Sequence, residues 1–292
     1  MHKQSDSPIV SFARDGQEFA LASRPGSVAL LRYGATGLGL APVEIAKSER
    51  LDGDGSVVRG VRYGDRDVYV PLRLSAPSTG ELSALRRSLN ELLAPDLGEV
   101  EVRVQDPATG TDRMIRGYYK DGLDGDFGTG YYGYWQTLGL TFECHDPWWL
   151  GPEQIVELRI NPGYKPFISS TVPFFPVMLA QSSVQGEFQV DIRGAGPVDP
   201  VWEVIGPGTD LRISNGSEVI EMDGSFSAGS PVLIDTTGEG EILPNERWLD
   251  TSVRSRLFKL ERGLQTITVT LVGATTETLV RLTYRERYRE GY

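Results

Sequence analysis

The chain has 292 residues, of which 39% are hydrophobic and 24% are charged, and its formal net charge is −11. This length allows two domains with hydrophobic cores, and the acidic balance disfavours binding to nucleic acid phosphates or anionic lipid. A single cysteine excludes an internal disulfide framework. No segment approaches the ~20 apolar residues of a membrane span and residues 1–30 lack a signal-peptide pattern, so we expect no membrane insertion and folding in a cytoplasm.

The segment up to residue 75 is predicted to consist of short strands joined by turns. The strongest candidate covers residues 67–74, where aliphatic residues occupy every second position from Val68 to Leu74. Pro71 falls on the outward phase and cannot donate a ladder hydrogen bond, which indicates an edge strand or a bulge. Weaker strand candidates lie at residues 7–12, 19–21, 28–31 and 57–63.

One amphipathic helix is predicted from Thr79 to Ala94. Ser78 and Glu81 form a Ser-x-x-Glu capping box at its start, and Pro95 ends it. Its apolar residues fall on one stripe, which we expect to lie against a sheet. The stripe consists of Leu82, Leu85, Leu89, Leu92 and Leu93.

Strands are predicted to resume after the helix. Residues 100–104 and 113–119 flank a turn at 106–110, and a hairpin tip rich in Asp and Gly follows at 120–130. The strand at 135–144 carries its apolar residues on one face. The first half of the chain is therefore predicted to be antiparallel β structure with one helix.

A proline-rich stretch with weak periodicity separates two parts of the sequence. We assign residues 1–150 to an N-terminal domain, residues 151–183 to a linker or arm, and residues 184–292 to an all-β domain. The last segment has many short, closely spaced strand candidates, which is typical of a β-sandwich. The predicted fold class is mostly β, with a β-barrel or sandwich carrying one α-helix first and a β-sandwich second.

Cys144, His145 and Asp146 supply the residue types of a nucleophile, a base and an orienting carboxylate. Neighbours on a strand point to opposite faces, however, whereas catalytic triads are assembled in space. Cys144 falls on the apolar face, where we expect a small buried hydrophobe. His2 and His145 are the only histidines, which leaves little material for a zinc site or a histidine base.

Other motifs are better explained as turns or core. Residues 128–133 match G-x-G-x-x-G but run into a strand, not a helix. Loops that begin at the acidic segments 52–56 and 121–126 lack the Gly at position six and the Glu at position twelve that an EF-hand needs. Trp202 and Trp248 are candidates for a sugar-binding face, although core packing is the stronger expectation. We therefore expect no catalytic residue, no metal and no cofactor.

Aromatic residues are concentrated around a hairpin at residues 118–135. So many rings exceed what one small core needs, and tyrosine and tryptophan favour the centres of protein interfaces. We interpret part of this hairpin as a candidate subunit interface, with internal packing as the alternative. The C-terminal run 284–292 raises the same possibility, with a frayed tail as the default. The candidate interface residues are Tyr118, Tyr119, Phe127, Tyr131, Tyr132, Tyr134 and Trp135.

The strand at 135–144 is followed by a stop signal. Pro147 removes a ladder donor, and two tryptophans follow at once. A strand halted in mid-chain in this way is more typical of a domain hinge than of a catalytic loop. The candidate hinge consists of Asp146, Pro147, Trp148 and Trp149.

Three stretches together resemble the distal tail proteins of long-tailed, non-contractile bacteriophages, often described as minor tail proteins. The first comprises the early strands, the capped helix and residues 97–100. The second is residues 140–149, Leu-Thr-Phe-Glu-Cys-His-Asp-Pro-Trp-Trp. The third comprises residues 194–236 together with residues 257–264. The order and spacing of these stretches make the resemblance specific.

The resemblance implies an N-terminal belt domain that closes into a hexameric ring at the tail tip, followed by a galectin-like (jelly-roll type) β-sandwich. It implies as partners further copies of the chain, the tail tube protein, the tape-measure protein and the baseplate hub or tail-associated protein. DNA would pass through the ring without specific binding. The protein would be a structural, non-enzymatic part of the virion, assembled in the host cytoplasm.

Two other functions stay open on the sequence alone. One is a carbohydrate-binding module that attaches the tail to the host cell wall through the second domain. Galectin sugar sites use a histidine, and residues 184–292 contain none. The other is a glycosidase or peptidase of the tail tip, although no pair of carboxylates stands out among the 40 acidic residues.

Overall fold

A computed structural model divides the chain into two compact units. Unit 1 comprises Met1–Pro152 and Tyr288–Tyr292, and unit 2 comprises Glu153–Arg287. The chain therefore returns to unit 1 at its C-terminal end. The residues that the structure describes are 8–22, 28–125, 131–159, 183–229, 231–237, 241–244, 250–251 and 256–292.

Unit 1 contains one α-helix, a 3-10 turn and short to medium strands. The helix α1 spans Thr79–Leu93 and the 3-10 turn spans Pro95–Leu97. The strands are β1 (Ile9–Arg14), β2 (Gln17–Leu21), β3 (Ala29–Leu31), β4 (Val43–Glu49), β5 (Ser56–Tyr63), β6 (Arg66–Ser75), β7 (Val100–Asp106), β8 (Thr111–Asp121), β9 (Tyr131–Tyr132), β10 (Trp135–Cys144) and the beginning of β11 (Trp149–Arg159).

Antiparallel pairing connects most strands of unit 1 in the order β2-β1-β7-β8-β10-β6-β3. β9 pairs with the start of β10, and β4 and β5 form a separate two-stranded sheet. The described strands form no closed barrel. The predicted mostly-β fold class with one helix is confirmed, and the barrel form of the first domain is not observed.

The helix α1 covers one side of this sheet. Ser78 caps it as predicted, since its Oγ accepts a hydrogen bond from the Glu81 amide at 3.2 Å. Leu85 of the predicted stripe is only half-buried, and the other four leucines are buried. They share a core with Phe12, with the buried side of β6 and with Phe142 of β10. Amphipathic periodicity thus identified this helix and its buried face correctly.

Strand β10 alternates as its sequence predicted, with every second residue from Gln136 to Cys144 buried. Strand β6 lies between β10 and β3, so the prediction that Pro71 marks an edge strand or a bulge was wrong. The Pro71 carbonyl points to the β3 side, where it accepts from the Arg32 amide. The ladder of β3 has already ended at Leu31, opposite Leu72. The missing amide of the proline therefore leaves no gap in the pairing.

Unit 2 is an all-β unit. Its strands are the remainder of β11, β12 (Ser183–Ile192), β13 (Val201–Ile205), β14 (Gly208–Ser214), β15 (Val219–Phe226), β16 (Val232–Asp235), β17 (Glu241–Pro244), β18 (Asp250–Thr251), β19 (Gly263–Val272) and β20 (Leu279–Tyr288). Residues 151–159, which the sequence analysis placed in the linker, belong to β11. Residues 160–182 of the predicted linker lie outside the described residues.

Two sheets of unit 2 pack face to face. One has the order β17-β16-β13-β20-β11 and the other the order β12-β19-β14-β15-β18. Buried residues of both sheets form one core, which includes Trp202, Ile213 and Val269. This arrangement confirms the predicted sandwich.

Trp202 is fully buried, so it cannot stack against a sugar, and Trp248 lies outside the described residues. In the described part of the chain, no helix has both the length and the apolar character needed to cross a membrane.

Two glycines with nearly the same backbone conformation provide a stability prediction. Gly37 has φ +81° and a Cβ added to it would lie 2.2 Å from the Asp67 carbonyl oxygen, whereas Gly16 has φ +79° and open space around it. Gly16→Ala should lower the free energy of unfolding by about 1 kcal/mol, from the left-handed conformation alone. Gly37→Ala should lower it by roughly 3 kcal/mol or more, because the backbone must also move. Urea denaturation of both variants measures the difference, and equal losses would contradict the close approach.

Candidate subunit interface

The strands β4 and β5 form a two-stranded ribbon, residues 43–63, that pairs with no other described strand. Directly opposite residues share a face of such a ribbon. Val43 is opposite Tyr63, Ile45 is opposite Val61, and Lys47 is opposite Val58. The ribbon therefore places most of its aliphatic side chains on one face, which we call the apolar face of the ribbon, whereas Val57 is opposite Ser48 on the other face.

The apolar face of the ribbon is exposed. Its four aliphatic side chains are each 50% to 65% accessible to solvent. An isolated hairpin is marginally stable in water, and contiguous exposed apolar surface on a folded unit is typical of a binding site. The four residues are Val43, Ile45, Val58 and Val61.

The opposite face of the ribbon carries its polar side-chain pairs, beside Val57 and Ala46. Arg62 forms an ion pair with Glu44 at 2.6 Å, and the Arg59 Nε donates to the Ser48 hydroxyl at 2.8 Å. Both pairs are exposed, so each contributes little to stability. These polar pairs keep their face of the ribbon in contact with water. The apolar face is therefore the one suited to burial against another surface.

The base of the ribbon is fastened to unit 1. The Gly64 amide donates to the Pro42 carbonyl at 2.8 Å, which closes the two chain ends together. The Tyr63 ring meets the Trp148 ring edge to face, with centroids 5.4 Å apart, and its hydroxyl accepts from the Arg289 Nε at 3.1 Å. The ribbon is thus anchored at its base while its apolar face remains uncovered.

Sequence analysis recognised only parts of this ribbon. It predicted a strand at residues 57–63 and a turn at 52–56, both of which the structure contains. It did not identify β4, whose apolar residues Val43 and Ile45 are separated by a charge. Alternation was present as a signal, but alternation predicts a buried face, whereas this face is exposed in the structure.

The aromatic residues proposed as an interface are distributed over unit 1. Tyr134 is 63% exposed and Tyr118 is 39% exposed. Tyr119 is half-buried, and its hydroxyl accepts from the Leu123 amide at 2.8 Å. Burial raises the pKa of Tyr119. Trp135 is half-buried beneath the Arg73 guanidinium, which lies 4.3 Å from its ring centroid.

The remaining three aromatic candidates are less fully described. Phe127 lies outside the described residues, and Tyr131 and Tyr132 are described only as the backbone of β9, which pairs with the start of β10. Tyr118 pairs with Glu143 near the far end of β10, roughly 26 Å along the strand from Trp135. The described rings therefore do not form one patch, and an interface role for Tyr118 and Tyr134 stays a prediction.

The candidate hinge residues belong to unit 1 and range from exposed Asp146 to buried Trp149. Trp149 is fully buried, and Gly291 lies so close to its ring that an added Cβ would be 2.9 Å away. The Trp148 amide donates to the Asp146 carboxylate at 3.2 Å, which forms the turn that Pro147 permits. Unit 2 begins shortly afterwards, at Glu153. A hinge at this point stays a prediction.

The three catalytic residue types at 144–146 are not assembled for catalysis. Cys144 is fully buried, and burial raises the pKa of its thiol to about 12. The His145 imidazole turns to Asp65, with 3.4 Å between Nδ1 and the carboxylate oxygen. Cys144 is therefore a core residue, as its position on the apolar face of β10 predicted.

The fold defines the class of protein, which is a two-unit, mostly β protein with one α-helix in its described residues. Residues 193–288, about a third of the chain, match the family model described as siphovirus-type tail component, C-terminal domain. No curated protein matches the chain in sequence.

Solved structures extend the similarity to almost the whole chain. SPP1 Dit (gp 19.1), described as a paradigm of the hub adsorption apparatus in phages that infect Gram-positive bacteria, has a TM-score of 0.61 at 15% identity over 95% of this chain and 98% of its own. Chains of the phage P2 baseplate in its activated conformation, with Ca and with Sr, have TM-scores of 0.57 at 12% and 11% identity over the same shares. The predicted resemblance to phage distal tail proteins is confirmed.

The burial of Cys144 predicts its reactivity. At pH 8 the folded protein should react with iodoacetamide roughly a hundredfold or more slowly than the denatured protein, because the thiolate is scarce and the sulfur is inaccessible. The rate of alkylation followed by mass spectrometry measures this, and the denatured chain is the internal control because Cys144 is the single cysteine. Equal rates in the two states would refute the buried position.

Proposed function

We propose that this protein is a structural component of a phage tail tip and that six copies of it close into a ring. The ring connects the tail tube to the baseplate hub and lets the tape-measure protein and DNA pass. The proposal is supported by the similarity in fold to SPP1 Dit and to chains of the phage P2 baseplate. The observation that carries it within the molecule is the exposed apolar face of the ribbon.

The occupant that we assign to this face is a second copy of the chain. The apolar face of the ribbon consists of exposed aliphatic side chains, and the opposite face carries the ion pair between Arg62 and Glu44. Fully burying one aliphatic side chain contributes about 1.5–3 kcal/mol. The side chains of the apolar face are still 50% to 65% exposed in the folded chain. A large part of this free energy is therefore available when the face is buried against another copy. Closure into a ring buries the same face in every copy without leaving an open end.

The charge of the chain suits a conduit for DNA. Each copy carries a formal net charge of −11, so six copies carry −66. A polyanion that must slide through a ring is served by weak or repulsive contacts, whereas a basic lining would hold the phosphates. The acidic balance thus supports passage of DNA without specific binding.

The described residues also support a non-enzymatic role. The single cysteine is buried with a raised pKa, and the His145 imidazole contacts a carboxylate instead of a nucleophile. The core position of Trp202 removes one of the two tryptophans that motivated a sugar-binding function for unit 2. We therefore place the protein in the virion as an architectural part whose partners are its own copies, the tail tube protein, the tape-measure protein and the hub.

The ribbon provides a matched pair of variants for this proposal. Ile45→Glu puts a carboxylate on the apolar face, and Ala46→Glu adds the same charge to the adjacent residue on the polar face. Native mass spectrometry and negative-stain electron microscopy should show six-membered rings for the wild type and for Ala46→Glu. Ile45→Glu should remain monomeric, because closing the ring would bury an unpaired charge.

Two outcomes would contradict this proposal. If Ile45→Glu and Ala46→Glu assemble equally, the apolar face of the ribbon is not the contact. If the wild type remains monomeric even when mixed with tail tube and hub proteins, the ring itself is refuted. Circular dichroism of each variant confirms that the fold is retained before assembly is compared.

A further inference from the structure

Three side chains with metal-binding atoms meet beside the base of the ribbon. Asp65 lies in the connection between β5 and β6, Glu143 lies near the end of β10, and His145 follows that strand. The pairing of β6 with β10 sets Cys144 opposite Arg66, which brings the start of one strand to the end of the other. The ligand atoms of the three side chains all lie within 4.8 Å of one another.

The spacing of His145 and Asp65 fits one coordinated ion. Zinc binds histidine nitrogen at about 2.0–2.1 Å and carboxylate oxygen at about 2.0–2.2 Å, so two ligands at a tetrahedral angle lie roughly 3.4 Å apart. The His145 Nδ1 and the Asp65 carboxylate oxygen are 3.4 Å apart. A Glu143 carboxylate oxygen lies within 4.8 Å of both of these atoms and would have to move closer to complete the set. One imidazole and two carboxylates leave a fourth position for water.

The local charges favour a cation. Within the described ranges, His145 is the only polar partner of Asp65, so one carboxylate of the group is not matched by a formal positive charge. Lys120 lies between Asp67 at 3.2 Å and Glu143 at 3.3 Å and competes for the Glu143 carboxylate. An open cleft of 580 Å³, lined in part by Asp65, Glu143 and Lys120, gives an ion access from solvent.

We propose that Asp65, Glu143 and His145 together bind one Zn²⁺ ion. Sequence analysis set a zinc site aside because the chain has two histidines, and the structure adds to His145 the nearby carboxylate of Glu143 and the carboxylate of Asp65, 80 residues away. The ion would link the Gly64–Asp65 connection to the end of β10, so it would fix the base of the ribbon. The site itself does not depend on the proposed ring.

The test is calorimetric titration of the chelator-treated full chain with zinc chloride. All proteins carry His2→Ala, so that the other histidine cannot contribute. The parent protein should bind one equivalent of zinc. Asp65→Asn and His145→Gln should each weaken binding by about tenfold or more. Asp65 and His145 are exposed, so neither variant should disturb the fold. Asp54→Asn, in the exposed turn of the ribbon, is the control and should bind like the parent.

A gain of affinity provides a second, independent measurement. Lys120→Met removes the cation that competes for Glu143, so zinc should bind several-fold more tightly to this variant, provided that Glu143 is a ligand. Unchanged or weaker binding by Lys120→Met would overturn the assignment of Glu143. Absence of zinc binding by the parent, or equal binding by all variants, would overturn the site. Calcium binding that exceeds zinc binding and persists in His145→Gln would also overturn it, because the imidazole would have no role.

Discussion

The guanidinium of Arg66 holds together the part of unit 1 from which the ribbon departs. It is 1% exposed, and its Nη1 donates to the carbonyl oxygens of Gly37 and Gly39 at 2.8 and 2.6 Å. Its Nη2 donates to the Arg289 carbonyl at 3.1 Å. Burial lowers the pKa of Arg66, and the carbonyl dipoles replace the water that the charge has lost. Each carbonyl left without its donor would cost about 1–3 kcal/mol.

This interaction joins three segments that are remote in sequence. The loop at residues 37–39 precedes the ribbon, Arg66 opens β6 immediately after it, and Arg289 belongs to the C-terminal segment. The entry and the exit of the ribbon are therefore fixed by one side chain. A ribbon held in this way presents its apolar face in a defined direction, which the proposed contact between identical copies requires.

The C-terminal segment is a structural part of unit 1. Arg113 lies over the Tyr288 ring at 4.1 Å and donates to the carbonyl oxygens of Glu290 and Tyr292 at 2.8 and 3.0 Å. The default expectation of a frayed tail was therefore wrong. Terminal segments fray unless they are held, and here the backbone oxygens of the segment accept from two arginines of the first unit, Arg66 and Arg113, while the Tyr288 ring covers Arg113.

Much of the fold followed from local patterns. The capping residue Ser78 and the leucine stripe of α1, the alternation of β10 and the closely spaced strands of unit 2 all depend on neighbours in sequence, and the family resemblance rested on the same stretches. By itself the sequence thus determined the helix, many of the strands, their apolar faces and the class of protein, but not β4 or the extent of β11. Only the tertiary structure decided that Arg66 is buried, that the ribbon is uncovered and that Asp65 meets His145, 80 residues away. The physical reason is that burial and juxtaposition depend on which strands pair. The residues of a strand indicate which of its sides is apolar, but they do not indicate what lies against that side.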